Sequence, residues 1–204
     1  TDPVRVEVAR AGVAADKITQ SVHFVAQTEK GGLLIELLRK NKDRSLVFAR
    51  TKHGSERLMK QLVKAGFAAG SIHGNKSQGQ RDRAIREFKA GEIDVLVATD
   101  VAARGIDIDG IGYVYNYDLP NVAENYVHRI GRTARAGAAG EAIAFCSPDE
   151  TSEFKAIQKV LKTNIPVASG SPWEVLDGGK SKKGKPNRRR RPARGRRGPS
   201  RKAA

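Results

Sequence analysis

Residues 94–108 read Asp-Val-Leu-Val-Ala-Thr-Asp-Val-Ala-Ala-Arg-Gly-Ile-Asp-Ile. The short apolar run Val95–Ala98 suits a strand buried on both faces. Directly after it come the hydroxyl of Thr99, the carboxylates of Asp100 and Asp107, and Arg104 beside Gly105. Open parallel sheets bind ligands beyond the carboxyl ends of their strands, which is where this loop would lie. The plainer alternative is an ordinary strand-to-helix connection with Asp100 as a helix N-cap. A second cluster, His128-Arg129-Ile130-Gly131-Arg132-Thr133-Ala134-Arg135-Ala136-Gly137, is rich in arginine. A planar guanidinium stabilises the charge developing on a γ-phosphate better than an ammonium can. Arg132 and Arg135, three residues apart, could address one anion; a solvated basic loop is the alternative. Arg50 and Thr51, His73-Gly74, and Gln78 with Arg81 fall at further strand exits or helix starts, where backbone amides favour phosphate. For Arg81 alone, a solvated helix position is the simpler account.

These residues need a scaffold, and the hydrophobic pattern supplies one. Strands are expected at Ile18–Ala26, Ser45–Arg50, Phe67–His73, the run ending at Ala98, Ile111–Tyr117 and Glu141–Cys146, with weaker alternation at Val4, Val6 and Val8. Between them lie helical stretches. Glu29–Lys40 carries Leu33, Leu34, Leu37 and Leu38; Ser55–Ala65 carries Leu58, Met59, Leu62 and Val63 and stops at Gly66. Ser77 with Gln80 makes a capping box for a helix bearing Ala84, Ile85 and Phe88 and ending at Gly91. Asn121 with Glu124 is expected to cap a helix carrying Tyr126, Val127 and Ile130, and Ser147-Pro148 with Glu150 opens a last one through Lys162. Strands alternating with helices of this length argue a parallel α/β sheet covered on both faces.

The net charge of +16 is unevenly placed. Residues 178–204 hold 13 Lys or Arg and no acid, leaving 25 basic and 22 acidic side chains upstream. That segment of Gly, Pro, Ser, Lys and Arg has too little apolar surface to offset the entropy of ordering, so a disordered basic tail is expected. One cysteine, Cys146, excludes an intrachain disulfide. No membrane span or signal pattern is legible, and a cytoplasmic location is expected.

Four stretches carry a family resemblance: SLVFART at 45–51, HGNKSQGQR at 73–81, ATDVAARGID at 98–107 and HRIGRTARAG at 128–137. In order and spacing they resemble helicase motifs IV, IVa, V and VI of the C-terminal RecA-like domain of DEAD-box RNA helicases, most similar to the bacterial RhlE type. Ala134 stands where much of that family has glycine. The resemblance implies a RecA-like fold over 16–168, a linker remnant at 1–15 and a tail from 169. It implies ATP with Mg2+ as cofactor, RNA as a largely sequence-independent partner, and an N-terminal RecA domain of the same protein as the other half. Asp107 would hold the ribose, and Arg132 and Arg135 would serve as arginine fingers. Arg81 and Thr99, with Thr51 and Gly74 beside them, would contact RNA phosphates. His128 would couple the two domains, and Arg104 would support the motif V loop.

The N-terminal family signatures, a phosphate loop and Asp-Glu-Ala-Asp, do not occur in the sequence. Gly179-Lys180-Ser181 imitates the end of a phosphate loop, but Glu174 occupies the place of its first glycine. The expectation is half of an ATP-dependent RNA helicase, inactive in isolation. The rivals are a non-enzymatic RNA-binding module presenting a basic tail, and a flavodoxin-like nucleotide-binding domain, which lacks a glycine-rich loop after its first strand.

Overall fold

The computed structural model describes residues 18–103, 108–134 and 139–173. The first 17 residues and residues 174–204, as well as Arg104, Asp107 and Arg135, lie outside the described residues, while 169–173 of the expected tail are described and begin in a strand. In order, the elements are β1 (Ile18–Phe24), α1 (Lys30–Lys40), β2 (Ser45–Phe48), α2 (Lys52–Lys64), β3 (Ala69–Ile72), α3 (Gln78–Ala90) and β4 (Val95–Ala98). They continue with a short α4 (Asp100–Ala103), β5 (Tyr113–Asn116), α5 (Ala123–Ile130), β6 (Gly140–Cys146), a 3-10 turn (Pro148–Glu150), α6 (Thr151–Leu161) and β7 (Val167–Ser169).

All seven strands form one sheet of order β3-β4-β2-β5-β6-β1-β7, and every neighbouring pair is parallel. The central strands bury both faces, because alternate side chains point to opposite sides of the pleat. Leu46, Phe48, Leu96 and Ala98 meet α3 residues Ala84 and Phe88 on one face. Val47, Val95 and Val97 meet Leu34, Leu38, Leu58 and Leu62 of α1 and α2 on the other. Beneath β1 and β6, Val22, Ala142 and Ala144 pack with Tyr126, Ile130, Phe154 and Ile157 of α5 and α6. This is the parallel α/β sheet expected from the alternation of strand and helix patterns, and the RecA-like architecture that the family resemblance implied.

Several boundaries moved for identifiable reasons. Helix α2 starts at Lys52, not Ser55, because the Thr51 hydroxyl accepts from the Gly54 amide and caps it. Val63, expected inward, is 51% exposed, since the buried line of the helix runs through Ser55, Leu58 and Leu62. The cap expected from Asn121 does not form: Val122 is the N-cap of α5, with no side-chain hydrogen bond. The capping boxes of Ser77 with Gln80 and Ser147 with Glu150 are both present, and Gly91 closes α3 in the left-handed conformation. Strand β7 had no sequence signal. Its place is fixed by contacts, the Ser169 hydroxyl to His23 Nδ1 at 2.7 Å and, just beyond, Trp173 Nε1 donating to the Cys146 carbonyl at 2.9 Å.

Candidate nucleic-acid and nucleotide interface

Because the strands are parallel, all their carboxyl ends open on one edge. The ladder even continues past the strands there: Ala49 N donates to Ala98 O, Thr99 N to Ile72 O and Asp118 N to Phe48 O. The exits of β3, β4 and β2 are therefore side by side, and they bring Gly74, Thr99 and Thr51 to one rim. Thr99 is buried, whereas Gly74 and Thr51 are exposed. A Cβ added to Gly74 would meet nothing within 4 Å, so no contact inside the chain demands glycine there.

Arg81, in the first turn of α3, reaches the same rim. Its terminal nitrogens donate to Gln78 Oε1 and to the Ala102 carbonyl, both at 3.3 Å. Its Nε is buried and has no hydrogen-bond partner. A buried donor left unpaired costs about 1–3 kcal/mol, which a ligand oxygen would recover.

The loop between β3 and α3 is held by Glu56 of α2. One carboxylate oxygen accepts from Ser71 Oγ at 2.8 Å and lies 3.0 Å from both His73 Nε2 and Lys76 Nζ. Asn75 N donates to His73 Nδ1 at 3.3 Å, so the neutral ring carries its proton on Nε2, toward the carboxylate. Hydrogen bonds from His73, Lys76 and Ser71 hold the Glu56 carboxyl down at about 2.

The second cluster centres on Arg129, which sequence reasoning missed as a positioning group. Its guanidinium is buried and grips Asp100 in two bonds, 2.6 and 2.9 Å, while donating to Asn116 Oδ1 and the Asp118 carbonyl. It also lies over the Phe48 ring at 4.9 Å. Asp100 therefore answers to motif VI instead of acting as a helix cap. Its position beside Tyr126 and Ile130 on the inward side of α5 was the available signal. Outward from Arg129 opens a cavity of about 290 Å³ lined by Phe48, Asp100, Ala103, Asn125, His128 and Arg132. His128 is exposed and Arg132 is half-buried at this mouth. The structure thus gathers Thr51, Gly74, Arg81 and Thr99 at the rim and His128 with Arg132 at the cavity.

A third, unforeseen cluster occupies the exits of β5 and β6. Lys30 is fully buried; it donates to Glu150 at 2.5 Å and to the Tyr117 carbonyl at 2.8 Å, with Asp118 at 3.6 Å. Glu150 also accepts from Arg50, the Leu119 amide, and the amide and hydroxyl of Ser147. Its signal was weak but real: Lys30, Leu34 and Leu38 follow one another at the spacing of a buried helix stripe. Nearby Cys146 is buried, which pushes its thiol up to about 12 and leaves it unreactive.

A cofactor fit can be judged from these groups. The cavity mouth with Arg132 and His128 suits a polyphosphate anion. Among the described residues no group of three or more His, Cys, Asp or Glu side chains could hold a metal ion, so they offer Mg2+ no ligand set. No helix among them is long and apolar enough to cross a membrane.

Known proteins match this picture. The helicase conserved C-terminal domain matches residues 29–137. ATP-dependent RNA helicase RhlB of Xanthomonas axonopodis pv. citri is 41% identical over 167 residues, 81% of this chain and 29% of the relative. The chain thus spans less than a third of that relative's length, and the subtype name there is RhlB where the sequence motifs suggested RhlE. The E. coli DEAD-box protein SrmB, solved bound to regulator of ribonuclease activity A, superposes with a TM-score of 0.69 at 36% identity, over 74% of this chain and 89% of that one. S. cerevisiae Dbp5, solved bound to RNA and ADP BeF3, gives 0.70 at 33% identity, over 76% of this chain and 42% of Dbp5. The chain belongs to the helicase conserved C-terminal domain family, in its DEAD-box branch.

Proposed function

We propose that this chain supplies the C-terminal half of an ATP-dependent RNA helicase. The observation that carries the reading is the rim itself, where three adjacent strand exits meet an arginine whose buried Nε lacks a partner. Arg81 and Thr99 take RNA phosphate oxygens there, with Thr51 and the unobstructed Gly74 beside them. Phosphate contacts fix position and carry no base information, so binding is largely sequence-independent. ATP, when bound against the N-terminal RecA domain, supplies a phosphoanhydride whose cleavage develops charge on the γ-phosphate. Arg132 and Arg135 stabilise that charge, Asp107 orients the ribose, and the Mg2+ ligands belong to the N-terminal domain. His128 and Arg104 couple the two halves. Arg129 links the parts within this domain, since its bond to Asp100 ties the motif V rim to the helix that leads to Arg132. RNA held in a bent backbone path between two closing domains cannot stay paired, and local unwinding follows. A cytoplasmic location belongs to the same reading.

The test is steady-state ATP hydrolysis, with magnesium and excess RNA, by the chain alone and by the same chain joined to its N-terminal RecA domain. RNA-stimulated turnover is expected only from the joined protein, because residues 1–204 contain no phosphate loop. Turnover by the chain alone would sink the half-enzyme reading. RNA affinity indifferent to nucleotide in the joined protein would favour the non-enzymatic module.

A further inference from the structure

Helix α2 begins at Thr51 on the rim and runs 13 residues away from it. Its buried side is Ser55, Leu58 and Leu62. His53, Arg57, Lys60 and Lys64 recur at spacings of four, three and four, so they form one line on the opposite face. All four are exposed. The only acid of α2, Glu56, is turned away and engaged by Ser71, His73 and Lys76.

Neighbouring helices pair some of their surface cations, Lys40 with Glu36 on α1 and Arg83 with Glu87 on α3, each one turn apart, and leave Arg39, Arg86 and Lys89 single among the described residues. On α2 no member of the line has an acid partner among the described residues. Arg57 also borders a cleft lined by Asp118, Asp149 and Glu150, whose carboxylates are already engaged, Asp118 by Lys30 and the Arg50 amide, Asp149 by the Ser147 hydroxyl and Glu150 by Lys30 and Arg50. Like charges a turn apart destabilise a helix by about 0.2–0.5 kcal/mol per pair. First-turn Lys52 faces the wrong end of the helix dipole, with no acid nearby in that turn. A helix that needed only solubility would not require this arrangement.

We propose that the cationic line on α2 is a second track for phosphodiester backbone, carrying RNA that leaves the rim at its Thr51 end. From His53 to Lys64 the line is about 16 Å long. That length covers several phosphates of a stacked strand spaced about 3.4 Å apart. The track rests on the RNA-binding reading of the rim, and it extends the footprint beyond it. Its flexible side chains recognise charge and not sequence, so it holds any single strand or duplex flank.

The experiment compares the full chain with the variant Arg57→Gln/Lys60→Gln/Lys64→Gln. The probes are a hexanucleotide RNA and the same RNA lengthened by a dozen nucleotides at its 5′ or 3′ end, across a salt series. Circular dichroism checks that the variant is folded. The hexanucleotide should bind both proteins alike, because it fills only the rim. One of the lengthened RNAs should bind the variant about tenfold more weakly in low salt, with a log K against log salt slope flattened by about 2, at roughly 0.7 per lost phosphate contact. Unchanged slopes and affinities for both lengthened RNAs overturn the track. So does an equal loss for the hexanucleotide, which would show a general charge effect. Polyglutamate binding that is lost in the variant while RNA binding is untouched would assign the face to an acidic protein, and also overturns it. Failure of the rim reading shows separately, as an Arg81→Gln chain that binds the hexanucleotide normally.

Discussion

Two charged clusters share one edge of this sheet and have opposite bookkeeping. At the exits of β5 and β6, Glu150 accepts five hydrogen bonds and Lys30 is enclosed by Glu150, Tyr117 and Asp118. At the exits of β3 and β4, the buried Nε of Arg81 lacks a partner and Gly74 has open space over its Cα. The Lys30–Glu150 cluster is satisfied by groups of the chain itself, whereas Arg81 Nε, like Asn116 Nδ2 beside Arg129, has no partner among the described residues. Charge at a strand exit is thus a poor guide to function by itself. Whether its donors and acceptors are satisfied is the more useful question, and the substitutions below put it to the test.

The largest expected effect tests the open side. In the protein joined to its N-terminal RecA domain, Arg132→Ala should lower ATP turnover by roughly 10³-fold or more, as loss of an arginine finger does. Normal turnover with weakened RNA binding would move Arg132 to the rim.

The closed side should respond in the reverse way. Lys30→Met breaks a fully buried ion pair and leaves Glu150 short of a partner, at a cost of about 3 kcal/mol. RNA affinity measured below the melting transition should stay within about twofold. The double change Lys30→Met/Glu150→Gln should recover part of the stability, since no uncompensated charge is left behind. Strict additivity of the two single changes would mean that the pair does not act as a unit.

The contrast also explains what the sequence could reveal. Strands and helices were legible because apolar periodicity is local, as in Leu46, Phe48 and their alternates or the Ser77–Gln80 capping box. The motifs that contain Thr51, Gly74, Arg81, Thr99, His128 and Arg132 were legible because each is contiguous in the sequence, and the roles proposed for these residues come from the family resemblance. Lys30, Glu150, Arg50 and Asp118 were not, for they are 20 to 120 residues apart and meet only through the strand order. Arg129 was hidden for a related reason: an arginine in an arginine-rich stretch reads as a solvated charge until Asp100 is brought to it. Strand β7 went unread because three exposed residues carry no pattern and owe their place to β1.

A smaller effect should sharpen the open side. Arg81→Gln keeps a polar side chain but removes the guanidinium, so single-stranded RNA should bind roughly 10-fold more weakly, within the 1–3 kcal/mol of one charge-assisted contact. Its salt slope should flatten by about 0.7. Stability should rise slightly or stay level, because the unpaired buried Nε disappears. A marked fall in stability would instead make Arg81 part of the scaffold.

The smallest effect lies where the two kinds of cluster meet. Glu56 is engaged through one oxygen by Ser71, His73 and Lys76, and what it holds is the loop that presents Gly74. Its carboxyl titrates at about 2 when folded, below the ordinary 4.5. A depressed carboxyl adds stability that is fully present above the unfolded value and is lost as the pH falls through the folded one. With partial exposure and solvent screening, that contribution is about 1 kcal/mol. Urea unfolding of the chain and of Glu56→Gln should therefore differ by this amount near pH 7, with the gap shrinking between pH 4.5 and 2. At neutral pH the variant should also bind RNA a few-fold more weakly, because the loop is less firmly placed. A stability gap that persists unchanged down to pH 2 would show that Glu56 acts through packing and not through its charge.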